Sequence, residues 1–79
     1  MNNHQYLLLE SSYEAGGITY TVYGVALADC SDGSPVILQA FADLSPEKDP
    51  VARLAKQCTE LSLSADHFAD VIDDFLAQQ

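Results

Sequence analysis

The chain has 79 residues, of which 48% are apolar, and its formal net charge is −9. A chain this short buries only about 60% of its unfolded surface, so we expect one domain over residues 1–79. The acidic surplus repels phosphate backbones and anionic headgroups, which predicts no nucleic-acid and no membrane partner. The N-terminus lacks the basic segment of a signal peptide, so we expect a cytoplasmic protein.

The first half of the chain predicts three strands. A cluster of β-branched and aromatic residues in the second segment marks it as the central strand. Gly16 and Gly17 supply a tight turn after the first strand, and Asp32-Gly33 is a strong hairpin signal after the second. The predicted strands span residues 5–13, 18–29 and 35–43.

A two-residue loop at Asp32-Gly33 would place Leu27 opposite Leu38 and Gly24 opposite Phe41. Alternation along the strands then gives two faces, and both are apolar. The first face carries Tyr6, Leu8, Tyr23, Val25, Leu27, Val36, Leu38 and Ala40. The second carries Leu7, Leu9, Tyr13, Ile18, Tyr20, Val22, Ile37 and Phe41.

The second half of the chain has helical periodicity. We expect one helix over residues 46–62, beginning either at Ser45-Pro46 or at Asp49-Pro50, and another over 65–78 with Ser64 as its N-cap. Their short connection predicts an antiparallel pair. The predicted fold is therefore α+β, a three-stranded antiparallel β-meander followed by two antiparallel helices packed on one sheet face (βββαα).

One set of residues, spread from strand two to the last helix, matches a known pattern. It consists of Tyr23-Gly24-Val25, Asp43-Leu44-Ser45, Val51, Leu54, Cys58, Leu63-Ser64, His67 and the run from Asp70 to Leu76. In these residues the chain resembles a family of short uncharacterised proteins from clostridia and related Firmicutes, a domain of unknown function. The resemblance implies a cytoplasmic bacterial setting and no assigned activity, cofactor or substrate.

No set of residues predicts catalytic, cofactor-binding or metal chemistry. His4, Cys30, Cys58 and His67 could supply four zinc ligands, but they lack the paired spacing of zinc sites. The cysteines are expected to be free thiols, because disulfide scaffolds of this size carry more of them. Acidic residues cluster on one side of the last helix and predict an interaction face for another protein. This acidic face consists of Asp66, Asp70, Asp73 and Asp74.

One apolar sheet face is left uncovered when the helices pack on the other. Monomers seldom expose such an area, so this face predicts a homodimer interface. The residues predicted to form the interface are Leu7, Leu9, Tyr20, Val22, Ile37 and Phe41. We therefore expect a small non-catalytic interaction or regulatory module. The alternative is a regulator that holds a small molecule or metal between sheet and helices, near Tyr23, Cys58 and His67.

Overall fold

A computed structural model, which describes residues 4–31 and 33–78, has the βββαα order. Three antiparallel strands form one open sheet in the order β1-β2-β3, and two helices follow. Each helix has 13 residues, and neither described helix is long and apolar enough to cross a membrane. The elements are β1 (His4–Ala15), β2 (Ile18–Asp29), β3 (Val36–Ser45), α1 (Lys48–Glu60) and α2 (Ala65–Ala77).

The β1–β2 hairpin is continuous from its tip to its base. Ala15 pairs with Ile18, and the two turn residues, Gly16 and Gly17, have φ angles of 60° and 79°. Two consecutive positive φ angles are typical of the type I′ turn, whose twist matches that of the strands it joins. The turn has an even number of residues, which is the condition under which alternation gives β1 the faces assigned to it above.

The predicted register between β2 and β3 is wrong. Leu27 pairs with Gln39 rather than Leu38, because Leu38 is an extra residue where the register shifts. The two-residue turn is also absent, since the first pair joins Asp29 to Val36; Asp32 itself lies outside the described residues. The preceding Pro35 has no N–H with which to continue the ladder.

The side chain of Asp29, the last residue of β2, determines where the strand ends. Asp29 accepts hydrogen bonds from the Ser31 hydroxyl at 2.6 Å and the Ser31 N–H at 2.9 Å. These two hydrogen bonds are the main reason that the pKa of Asp29 is lowered, and the nearby His4 lowers it further. A carboxylate that bonds the backbone two residues on initiates a turn, so the chain leaves the sheet before Asp32-Gly33 is reached.

A second irregularity brings the backbone of β3 onto Gly24. The register shifts again between the pairs Tyr23–Ser45 and Val25–Phe41. A Cβ at Gly24 would collide with the backbone of Phe41 and Ala42. Gly24 is therefore the position at which β3 can cross closely over β2.

The core lies between the sheet and the helices. Phe68 of α2 is fully buried, and its ring contacts Tyr6 and Phe41 edge-on, with centroid distances of 4.9 and 5.1 Å. Phe41, which was predicted on the uncovered face, is therefore on the helix-facing side, because Leu38 reverses the alternation of β3. The buried core cluster comprises Tyr6, Val25, Leu27, Leu44, Val51, Ala55, Cys58, Phe68 and Ile72.

The helix ends are set by local hydrogen bonds. Helix α1 has Glu47 as its N-cap rather than Ser45 or Asp49, and the Ser45 hydroxyl accepts from the Glu47 N–H at 3.1 Å just before the helix. The predicted N-cap of α2 is confirmed, since the Ser64 hydroxyl accepts from the Asp66 N–H at 3.3 Å. Both hydroxyls bond the backbone at the entry to a helix, where N–H groups have no helical partner.

The C-terminus of α1 ends in a Schellman motif. The Leu63 N–H donates to the Cys58 carbonyl at 3.0 Å, and the Ser62 N–H donates to the Thr59 carbonyl at 3.1 Å. Ser62 has a φ of 51°, in the left-handed region that glycine usually occupies in this motif.

Ser62→Gly is expected to stabilise the fold by about 0.5 to 1 kcal/mol. The left-handed conformation costs a residue with a Cβ about 1 to 2 kcal/mol, part of which is offset by the greater unfolded-state entropy of glycine. Urea unfolding measures the gain. Ser64→Gly is the control, because at an N-cap the same change costs only a few tenths of a kcal/mol, roughly. A lower unfolding free energy for Ser62→Gly would contradict this account.

Candidate interaction surface

The sheet face that points away from the helices is here called the outer face. Side chains alternate along a strand, so neighbours of core residues such as Val25 and Leu27 point away from the core. The outer face is formed by the odd-numbered residues 5–15 of β1, the even-numbered residues 18–28 of β2, and Ile37 and Ala40 of β3. None of these residues carries a charge, in a chain with 15 residues of Lys, Arg, Asp and Glu.

The middle of the outer face is closed by the curvature of the sheet. Val22, Ala26 and Ala28 are buried, yet none of them belongs to the core cluster beneath the helices. Cα atoms of β1 and β3 approach within 8 Å across β2, whereas the outer strands of a flat sheet lie about 9.6 Å apart. The small side chains at the centre of β2 allow the flanking strands to close over them.

Two apolar groups remain exposed. The first, here called the tip patch, contains Tyr13, Ile18 and Tyr20, which are 51%, 57% and 42% exposed. The Tyr13 and Tyr20 rings stack with centroids 5.3 Å apart. The second, here called the β3 patch, contains Ile37 on the outer face and the adjoining bulge residue Leu38, each more than half exposed. Val36 is also more than half exposed, but it pairs with Asp29 on the helix-facing side.

The tip patch lies on a part of the hairpin that has no third strand. β3 pairs with β2 only from Tyr23 to Asp29, so residues 11–22 pair only within the β1–β2 hairpin. A two-stranded ribbon is marginally stable on its own. The end of the hairpin therefore lacks, within the described chain, the packing that normally stabilises such a ribbon.

The residues predicted to form the interface do not all lie on this surface. Tyr20 and Ile37 are exposed, and Leu7 and Leu9 are half-buried on the outer face. Val22 is on the outer face but is buried. The sixth residue, Phe41, packs in the helix-facing layer as described above. The structure adds Tyr13 and Ile18, which the sequence analysis placed on this face without including them in the interface.

The free edge of β1 is covered by α1. The Tyr6 N–H donates to Thr59 Oγ1 at 2.9 Å, and Thr59 Oγ1 lies 3.1 Å from the Tyr6 carbonyl oxygen. The Tyr6 hydroxyl donates to the Leu63 carbonyl at 2.7 Å. Desolvation by burial raises the pKa of Tyr6, and the nearby Cys58 raises it further. An edge whose backbone groups are bonded is poorly available for another strand, so β3 presents the more open edge.

The acidic face of α2 is exposed throughout, at Asp66, Asp70, Asp73 and Asp74. Beside it a groove of about 300 Å³ runs between the helices, over Leu54, Val71 and Phe75, with Arg53 and Asp74 among its other lining residues. The groove lies between the two helices rather than between the helices and the sheet.

The residues considered for ligands and metals are not brought into one site. Cys58 is buried in the core, where desolvation raises the pKa of its thiol, whereas His67 is exposed. Cys30 and Cys58 are both free thiols. Within residues 4–31 and 33–78, no three His, Cys, Asp or Glu side chains are grouped so that they could hold a metal ion.

A family model described as a family of unknown function, DUF6514, matches residues 1–78. The chain belongs to this family. The match extends over all five described elements, including the outer face and both helices. No curated protein matches the chain, and no solved structure does. Membership of DUF6514 thus assigns the chain to a family whose function is unknown.

Proposed function

We propose that this protein is a non-catalytic interaction module of the bacterial cytoplasm that assembles as a homodimer through its outer face. The observation that supports this proposal is a charge-free outer face with exposed Tyr13, Ile18, Tyr20 and Ile37, in a chain of net charge −9. Interface centres are depleted of charged residues and enriched in aromatic ones. Two copies can meet here without burying unpaired carboxylates, which would be costly.

The exposed area of the isolated chain is larger than a monomer of this mass typically has. The isolated chain exposes 5275 Å², whereas a monomer of 8.6 kDa typically exposes about 4,700 Å².

A charge placed on the outer face should separate the dimer. Ala40 is exposed and pairs with Ala26, so Ala40→Glu adds a carboxylate to this face without entering the core. Light scattering at micromolar concentration is expected to show a dimeric wild type and a monomeric Ala40→Glu variant. The matched control is Gln39→Glu, because exposed Gln39 lies one residue away and pairs with Leu27 on the other side of the sheet. If both variants dimerise like the wild type, the outer face is not the interface.

The acidic face of α2 is proposed to meet a basic surface on a different protein. It lies on the helical side of the domain, so it stays free when the outer face is buried. Carboxylates at i, i+3 and i+4, such as Asp70 with Asp73 and Asp74, repel one another by about 0.2 to 0.5 kcal/mol per pair. Clustered charge of one sign increases the rate at which an oppositely charged partner is encountered.

The doubly substituted protein Asp70→Lys, Asp73→Lys should lose these partners in an affinity capture from native lysate. Glu14→Lys, Glu60→Lys is the matched control, because it makes the same charge change at exposed positions outside α2. Capture of the same proteins by both variants and the wild type would refute a role for the acidic face. Lower salt should enhance capture by the wild type, since screening weakens long-range attraction.

A further inference from the structure

We infer that the two copies of the dimer pack with their strands antiparallel, so that the tip patch of each covers the β3 patch of the other. This inference rests on the proposed homodimer and specifies its geometry. It is drawn from the positions of the two exposed patches, the ribbon that lacks a third strand, and the difference between the two sheet edges.

The two patches lie at opposite ends of the sheet. Tyr20 is near the start of β2, whereas Ile37 pairs with Ala28 near its end. Eight residues separate Tyr20 from Ala28 on the same strand, a distance of about 26 Å. The molecule is a slab of 47 × 29 × 18 Å, so a partner must extend along the sheet to cover both patches.

When the strands of the two copies are aligned, a twofold axis allows two ways to pack the outer faces of identical chains. With parallel strands, each patch meets its own copy, and both hairpin tips project together beyond the three-stranded parts. With antiparallel strands, the tip patch of one chain meets the β3 patch of the other, and symmetry makes the same contact twice. The two arrangements therefore differ in which residues face each other.

The antiparallel arrangement supports the weakest part of the fold. Residues 11–22 form a two-stranded ribbon, and ribbons of this kind gain stability from a third strand or an apolar surface. Antiparallel packing places this ribbon on the three-stranded end of the partner, whereas parallel packing places it only on another ribbon. It also covers exposed Ile37, the outer-face residue of the β3 patch, with the Tyr13 and Tyr20 rings.

The two sheet edges differ in a way that fits this arrangement. At Tyr6 the edge of β1 is occupied by Thr59, so α1 already shields that side. The start of β3, at Val36, Ile37 and Leu38, is exposed, so this part of the strand is open to solvent. A partner ribbon that lies over the β3 patch would shield this edge from unwanted strand pairing, which open edges otherwise promote.

Disulfide cross-linking distinguishes the two arrangements. Tyr20→Cys and Ile37→Cys are made separately in full-length protein that also carries Cys30→Ser, so that buried Cys58 is the only other thiol. One of the two proteins is labelled with ¹⁵N, the two are mixed until subunits exchange, and the mixture is oxidised. Mass spectrometry then identifies which chains are covalently joined.

The expected product is a mixed disulfide between Tyr20→Cys and Ile37→Cys chains, with little self-linked product from either variant alone. Self-linked dimers from each variant, or no cross-link in a sample that light scattering shows to be dimeric, would overturn the antiparallel arrangement and leave the proposed dimer intact. A wild type that is monomeric by light scattering would instead refute the proposed dimer, so the two failures are distinguishable.

Discussion

Replacing Phe68 by alanine is expected to lower the free energy of unfolding by about 3 to 5 kcal/mol, the cost of removing a large buried aromatic side chain. Phe68 is fully buried, and its ring lies between those of Tyr6 and Phe41. Removing it leaves a cavity at the point where α2 meets the sheet and also removes two edge-to-face ring contacts. A domain of this size has a total stability of about 4 to 12 kcal/mol, so much of it would be lost.

Urea unfolding followed by circular dichroism measures this effect at a fixed protein concentration, which matters because dimerisation adds to apparent stability. The matched control is Phe75→Ala, because Phe75 is on the same helix but only half-buried. Phe75→Ala should lower the free energy of unfolding clearly less than Phe68→Ala does. Equal effects of the two substitutions would show that Phe68 is not the centre of the core.

Gly24→Ala is expected to be the most damaging single-methyl change in the chain. The added Cβ would collide with the backbone of Phe41 and Ala42, and backbone atoms cannot move aside as the end of a flexible side chain can. Overpacking costs about 1 to 3 kcal/mol and occasionally more, and we expect the upper part of that range here. Separation of β3 from β2 would also disturb the β3 patch, so dimer formation should weaken in parallel.

The control for this substitution is Gly16→Asn. Nothing lies near a Cβ at Gly16, and asparagine tolerates its positive φ better than other residues with a side chain. Gly16→Asn should therefore unfold close to the wild type. A Gly24→Ala protein as stable as Gly16→Asn would mean that β3 does not cross over Gly24 as described.

The order of the elements was predictable because the apolar residues of each segment repeat with one dominant spacing, that of a helix or that of a strand. Helical spacing of apolar residues such as Val51, Ala55 and Cys58 marks α1, and Ser64 before an acidic first turn marks the start of α2. The twin glycines at 16 and 17 marked the position of the first turn, whereas the faces of β1 depended on whether that turn has an even number of residues. These signals act between near neighbours in sequence, where local preferences decide the structure.

The β2–β3 register was not predictable from the same signals. The Asp-Gly pair was a strong hairpin signal, but the bonds from Ser31 to Asp29 turn the chain earlier, and the extra residue at Leu38 then reverses the faces of β3. A bulge depends on how two strands meet in three dimensions, and no residue type marks it unambiguously. This single shift moved Phe41 from the predicted interface into the core.

The candidate surface was predictable in part. Alternation along the strands identified an apolar sheet face that carries no helices, and its lack of charge follows from the sequence once the faces are known. Curvature of the sheet could not be read from the sequence, so buried Val22 was expected to be available to a partner. The curvature concentrates the exposed apolar surface at the two ends of the sheet, and this pattern underlies the antiparallel arrangement. Thr59, which bonds both backbone groups of Tyr6, gave no sequence signal at all.

Sedimentation equilibrium of the wild-type protein at micromolar concentrations tests the proposed dimer most directly. The expected mass is twice the 8.6 kDa of the chain, and association should strengthen with added salt, because a Debye length of about 10 Å at 0.1 M screens the repulsion between two chains of charge −9. A measured mass equal to that of a single chain, at every protein concentration and every salt concentration, would contradict assembly through the outer face.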